Sequence, residues 1–221
     1  MAFSMAFSMP PLLRSGFLRR GLAAGAAPSK GLEGIMHVAK VRELDAEQIE
    51  HVWNDFHREK GMPSAVMGAH EWNSMQQRAK ACPNFVVPVP TNAQKEGFQA
   101  FFVQWQIPHA LFTGADEYRI LGAASKPLYT VTHYTELLAE KGVVLARGEP
   151  AAASGVVNSA GQPVTSVTPE QGRHLFARLH AFYAPGTANE RRWALVEQFN
   201  HAAPDFRFER LLEECKGLPA P

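Results

Sequence analysis

Cysteine is scarce in this chain, and the short signatures that many enzymes carry are missing. Only Cys82 and Cys215 occur in 221 residues, with no CxxC spacing. Two isolated cysteines build no disulfide framework, so free thiols in a reducing compartment are expected. No apolar run approaches the ~20 residues of a membrane span, so no membrane insertion is expected. The chain has no GxGxxG or GxxxxGK[ST] loop to cradle a phosphate, and no GxSxG elbow to raise a nucleophile. His70-Glu71 begins like HExxH, but Ser74 stands where the second histidine belongs. His51 and His57 are six apart, as are His174 and His180, and that spacing puts neither pair on one helical face. No metal site and no cofactor are expected.

Acid is also missing, but only locally. The formal net charge is +1, yet residues 1–32 hold Arg14, Arg19, Arg20 and Lys30 and no acid before Glu33. This composition, rich in Ser, Ala and Arg, is that of a cleavable organellar transit peptide. A basic, amphipathic segment suits a potential that is negative inside. The mitochondrial matrix is the favoured address, with the chloroplast stroma as the alternative. Cleavage is expected between about residues 20 and 35, leaving residues 33–221 as a single domain, and 1–32 are expected to pack against nothing. Without those four cations, 18 Lys+Arg stand against 21 Asp+Glu, a net charge of −3. A body of that sign has no electrostatic footprint for nucleic acid.

Helix signals open the body. Asp45 and Gln48 are placed as a capping box, and Ile49, Val52, Trp53 and Phe56 form one apolar stripe before Gly61 and Pro63. A second helix is expected over residues 69–81, ending before Pro83. From residue 83 the pattern changes to strands. "NFVVP" lies between prolines, as at a sheet edge. Further strands are expected at 98–106, at 110–113 after a turn near Pro108, in "PLYTVTHYTEL" and in "KGVVLARGE". In the third of these Leu128, Thr130, Thr132 and Tyr134 share one face, and Tyr129, Val131 and His133 the other. Asp116-Glu117 reads as a turn. Residues 148–167 read as a flexible surface loop with a possible short strand at Val156-Val157. Thr168, Pro169 and Gln171 then start a helix with an apolar face, and two more short helices follow. Segregated helices and strands imply an α+β fold: a mostly antiparallel sheet flanked by N- and C-terminal helices.

The strand at 98–106 is apolar on both faces, Phe98, Ala100 and Phe102 on one and Phe101, Val103 and Trp105 on the other. Either helices cover both faces or one is left for a partner. A thiol-dependent enzyme using Cys82 with His133 is an alternative from another class, and a structural subunit of an organellar complex is a third.

"ACPNFVVPVP", "FFVQW" followed by "ALFT", "THYTELLAEKGVVLARGE" and "WALVEQFN" occur in this order. Cys82-Pro83, Gln104-Trp105, Phe112-Thr113, His133-Tyr134, Glu136-Leu137, Lys141-Gly142 and Phe199-Asn200 carry the pattern. Together these motifs, over roughly residues 36–215, resemble the mitochondrial F₁-ATPase assembly factors that chaperone the β subunit of ATP synthase. The resemblance implies a monomeric, ATP-independent chaperone, not an enzyme. It would bind the nucleotide-binding domain of unassembled β subunit, prevent its aggregation and be displaced by the α subunit. The candidate partner-binding residues are Phe98, Phe102, Gln104, Phe112, His133 and Tyr134.

Overall fold

Alternating strands can only bury their apolar sides by pairing and taking a cover of helices. The computed structural model describes residues 31–91, 97–151, 167–216 and 218. A short 3₁₀ turn at Leu32–Gly34 precedes α1 (Val38–Val41) and α2 (Ala46–Glu59); β1 (Ser64–Gly68), α3 (Ala69–Ala81) and β2 (Asn84–Pro90) follow. Next come β3 (Phe98–Gln106), β4 (His109–Gly114), α4 (Ala115–Leu121), β5 (Tyr129–Tyr134), α5 (Leu138–Lys141) and β6 (Val143–Pro150). The chain ends with α6 (Pro169–Tyr183), α7 (Glu190–His201) and α8 (Phe208–Lys216). The six strands form one sheet in the order β1-β6-β5-β4-β3-β2, and every neighbouring pair is antiparallel. The expected α+β class is the observed one.

Local chemistry sets the long helices. At α2, Asp45 and Gln48 close the capping box in both directions, at 2.8 and 3.1 Å. Thr168 and Gln171 do the same for α6, with Pro169 at its first position. The proline-bounded strand is an edge, as expected, and α7 blunts it. Asn200 Nδ2 donates to the Asn84 carbonyl at 2.6 Å, and Phe199 meets Phe85 and Phe102 at ring distances of 5.6 and 6.5 Å.

The sheet separates two cores. The larger lies under α3, α6, α7 and α8 and includes Trp72, Phe85, Phe101, Phe112, Tyr129 and Phe182. The smaller joins Leu32, Ile49, Trp53, Tyr134, Leu137 and Leu145 beneath α1 and α2. Tyr129 wedges α6 against the sheet between two glycines. A Cβ on Gly148 would fall on its hydroxyl, and one on Gly172 would stand 2.9 Å from its ring carbon Cε2. Only glycine lets backbone approach a ring this closely.

Several expectations change. Leu32 is fully buried, and its N–H donates to Glu136 Oε1 at 2.9 Å. The folded body therefore begins by Gly31, ahead of the boundary at 33, because the small core needs that leucine. The transit-peptide reading otherwise falls on residues 1–30, outside the described residues. Gly148, Glu149 and Pro150 belong to β6, paired with β5, not to a loop. Residues 152–166, with the possible strand at Val156-Val157, also lie outside the described residues. The Asp116-Glu117 turn is the first turn of α4, closed by Gly122 at φ +56°. No sequence pattern assigns the five residues of β1. They are a strand because β6 offers an edge, a reason no local pattern contains.

Candidate partner-binding surface

The registers show what each sheet face presents. Residues directly opposite in an antiparallel pair share a face. One row across the sheet is Ser64, Arg147, Thr132, His109 and Gln106. The adjacent row on the same face is Glu149, Thr130, Leu111, Gln104 and Asn84. Thr132 and Leu111 are buried, and the other eight are half-buried. The face carries a polar belt two residues wide.

Hydrogen bonds and one ion pair order the belt. Arg147 Nη2 lies 2.6 Å from Glu149 Oε2, with side chains 15% and 30% exposed. His109 Nδ1 lies 3.2 Å from Thr132 Oγ1, and Ser64 Oγ donates to Asn54 Oδ1 at 3.0 Å. Burial holds the basicity of His109 below its ordinary value, against the opposing pull of Glu149. The belt therefore offers neutral donors and acceptors with one internally balanced ion pair. It suits a partner that brings hydrogen-bonding groups.

Helices close both flanks of the belt. On one side Trp53 of α2 sits edge-on to Tyr134 at 5.8 Å, and Arg147 lies over the same tyrosine at 5.9 Å. On the other, Tyr118 of α4 stacks on Phe102 at 4.0 Å. α4 buries none of its residues and ends with Ile120 75% and Leu121 51% exposed. With Phe98, 44% exposed, and Val52 they are the exposed large apolar side chains among the described residues.

The sequence-derived candidates divide on this frame. Gln104 lies in the belt. Phe98 is exposed beside Phe208, at a ring distance of 5.3 Å. Phe102 is buried under Tyr118. Phe112 is enclosed on the opposite face against Tyr129, and Tyr134 is enclosed beneath Trp53. His133 is buried between the rings of Trp72 and Trp105, at 4.9 and 5.4 Å. Of the six, Phe98 and Gln104 keep substantial accessible surface, whereas Phe102, Phe112, His133 and Tyr134 are buried. Sequence reasoning missed Ile120, Leu121, Arg147 and Glu149. The spacing of Arg147 and Glu149, two and four residues after Leu145, is the available signal for one polar face. With Asp116-Glu117 read as a turn, nothing in the sequence marks Ile120 and Leu121.

The thiol dyad is corrected. Cys82 Sγ lies 3.3 Å from His201 Nε2, while the His133 ring pairs with the Pro108 carbonyl. Burial, aided by Glu197, pushes the Cys82 thiol up to about 11, so it is protonated at neutral pH. Activation of a cysteine nucleophile requires the opposite shift. Among the described residues no three His, Cys, Asp or Glu side chains are placed to hold a metal. Nor is any described helix long and apolar enough to cross a membrane.

The fold and this surface define an α+β domain with a single antiparallel sheet and one partly open polar face. The sequence profile described as ATP11 protein matches residues 20–212, and the chain belongs to that family. It is 26% identical over 204 residues to the ATP synthase mitochondrial F1 complex assembly factor 1 of Homo sapiens, covering 91% of this chain and 57% of the relative. The protein of the same name from Danio rerio is 27% identical over 192 residues, covering 87% and 58%. Protein atp11, mitochondrial, of Schizosaccharomyces pombe is 30% identical over 132 residues, covering 58% and 46%. The chain thus spans little more than half the length of the assembly factors it matches. The resemblance carried by the motifs and the family found by comparison agree.

Proposed function

We propose that this protein is a mitochondrial assembly chaperone of the F₁-ATPase that binds unassembled β subunit and yields it to α. The observation that carries the reading is the match of residues 20–212 to the ATP11 family, whose relatives are named for F1 complex assembly. The physical logic is simple. Subunit interfaces of an obligate assembly are large and apolar, and a lone subunit that exposes them aggregates. A small domain that covers part of such a surface protects it. A competitor that binds the same surface more tightly then displaces it by mass action, without ATP.

On this reading the polar belt, with Phe98 on one margin and Ile120 and Leu121 on another, meets the nucleotide-binding domain of the β subunit in the matrix. Apolar anchors beside a hydrogen-bonding surface are the usual anatomy of a specific interface. The test is capture of purified, unassembled β subunit by residues 31–221, followed by addition of α. Capture of β and its release by α are expected. Absence of β binding at micromolar concentrations, or binding that α leaves unchanged, overturns the proposal.

A further inference from the structure

Two imidazoles face each other in the larger core. His133 projects from β5 and His180 from α6, with ring centroids 5.6 Å apart. His180 keeps some exposure as a residue, but the Nε2 atoms of both rings are shut away from solvent and have no hydrogen-bond partner. Each Nδ1 lies against a carbonyl oxygen, His133 on Pro108 at 3.1 Å and His180 on Phe176 at 2.8 Å. A carbonyl only accepts, so each Nδ1 carries the ring proton and donates it. Each Nε2 is then a bare lone pair, and a second proton must arrive there.

The surroundings offer such a proton little. His133 is stacked between Trp72 of α3 and Trp105 of β3. Trp105 Nε1 is itself a donor and accepts nothing. The ionisable groups acting on His133 are His180 from α6 and His109 from β4, both bases, and His180, against the Phe176 ring at 4.4 Å, is bonded to its own helix's Phe176 carbonyl. Tyr183 of α6, edge-on to Trp105 at 5.3 Å, is kept protonated by burial. Stacking on two indoles favours a cation, but by less than the lost hydration disfavours it.

We propose that His133 and His180 form an acid-sensitive latch between α6 and the sheet. While both rings are neutral the helix packs on the sheet. When they take up protons, α6 leaves the sheet and the Pro108 turn held by His133 loosens.

Burial is the main reason both rings resist protonation, and it drives His133 down to about 3. The unfolded chain protonates them near the ordinary histidine value of about 6.5. Stability is therefore complete above that pH and is lost as pH falls below it, by up to tenfold in the folding equilibrium per histidine per pH unit. For the pair, the interval from pH 6.5 to 5.0 amounts to at most roughly 10³-fold.

The test is urea unfolding of residues 31–221 at pH 7.5 and 5.0, for the wild type and for His180→Phe. Phenylalanine keeps a ring of similar size, and the lost Nδ1 bond is internal to one helix turn. His57 and His109 contribute equally to both proteins and cancel. The variant should lose less of its folding equilibrium on acidification than the wild type, by up to about 30-fold. Equal losses overturn the latch. If His180→Phe fails to fold, His180→Gln, neutral at both pH values, gives the same comparison. Hydrogen exchange supplies a second reading: between pH 7.5 and 5.0, corrected for intrinsic rates, wild-type α6 amides should lose more protection than central β6 amides. Loss that is equal in the two elements also overturns it.

Discussion

The two faces of the sheet are built for different work. The face under α6 is dry and ring-lined: Phe85, Phe101, Phe112 and Phe182 have no accessible surface. The other face is closed at its flanks by Trp53 and Tyr118 and carries Gln104, Thr130, Arg147 and Glu149 between them. Aromatic density on one side holds the fold so firmly that the other can keep half-buried polar groups. The comparison also reassigns the family motifs. Trp105, His133 and Tyr134 lie in the cores, Asn200 caps the edge strand, and Gly142 supplies a left-handed turn at φ +69°. Much of the pattern that points to the family is architecture.

The dry side carries the largest expected effects. Phe85→Ala removes a fully enclosed ring from the meeting point of Phe182, Phe199 and Phe206, and should cost about 3–5 kcal/mol, measured by urea unfolding. A cost under about 1 kcal/mol would mean that this core is loosely packed. Gly148→Ala drives a methyl group into Tyr129 from the sheet side and should cost about 1–3 kcal/mol in the same assay. Gly172→Ala repeats the insult from the helix side. Because both act on one ring, the double variant should fall short of the sum.

Acid separates the faces less sharply, because each hides a histidine. Burial lowers the basicity of His57 of α2 as it does that of His133. Both are bases that the unfolded chain protonates first, so stability present above pH ~6.5 is lost below it, by up to about 1.4 kcal/mol per pH unit for each. Thermal unfolding between pH 7.5 and 5.0 should show a steadily falling Tm, and a flat profile would contradict the burial of these rings.

The belt side should respond in binding more than in stability. Leu121→Ser or Gln104→Ala should change stability by no more than about 0.5 kcal/mol. If this face meets β subunit, either should weaken capture about tenfold, or roughly 1.4 kcal/mol. Phe102→Ser sharpens the contrast: it lies under Tyr118 on the same face and should destabilise the fold, whereas Phe98→Ser should not. The smallest effect belongs to Glu149→Gln. Its ion pair with Arg147 is partly solvated and should be worth about 0–1 kcal/mol, diminishing with added salt.

Elements whose causes are local are legible in the chain before it folds. Asp45 with Gln48 and Thr168 with Gln171 start helices through side-chain bonds three residues away, and the prolines around "NFVVP" confine that strand to an edge. The alternation along β5 already placed Thr130 and Thr132 opposite His133. Tertiary structure decided the rest. β1 is a strand only because β6 leaves an edge free, and α4 is a helix that Tyr118 ties to Phe102 across the sheet. Leu32 became core through a glutamate 104 residues further along the chain. The polar belt arose in the same way, because it is a property of register: no single strand shows it, and only hydrogen bonding between strands lines up Arg147, Thr132 and His109. Which aromatic residues are buried followed from that register and from the helices above it, since an apolar side chain looks the same in sequence whether another ring or solvent covers it.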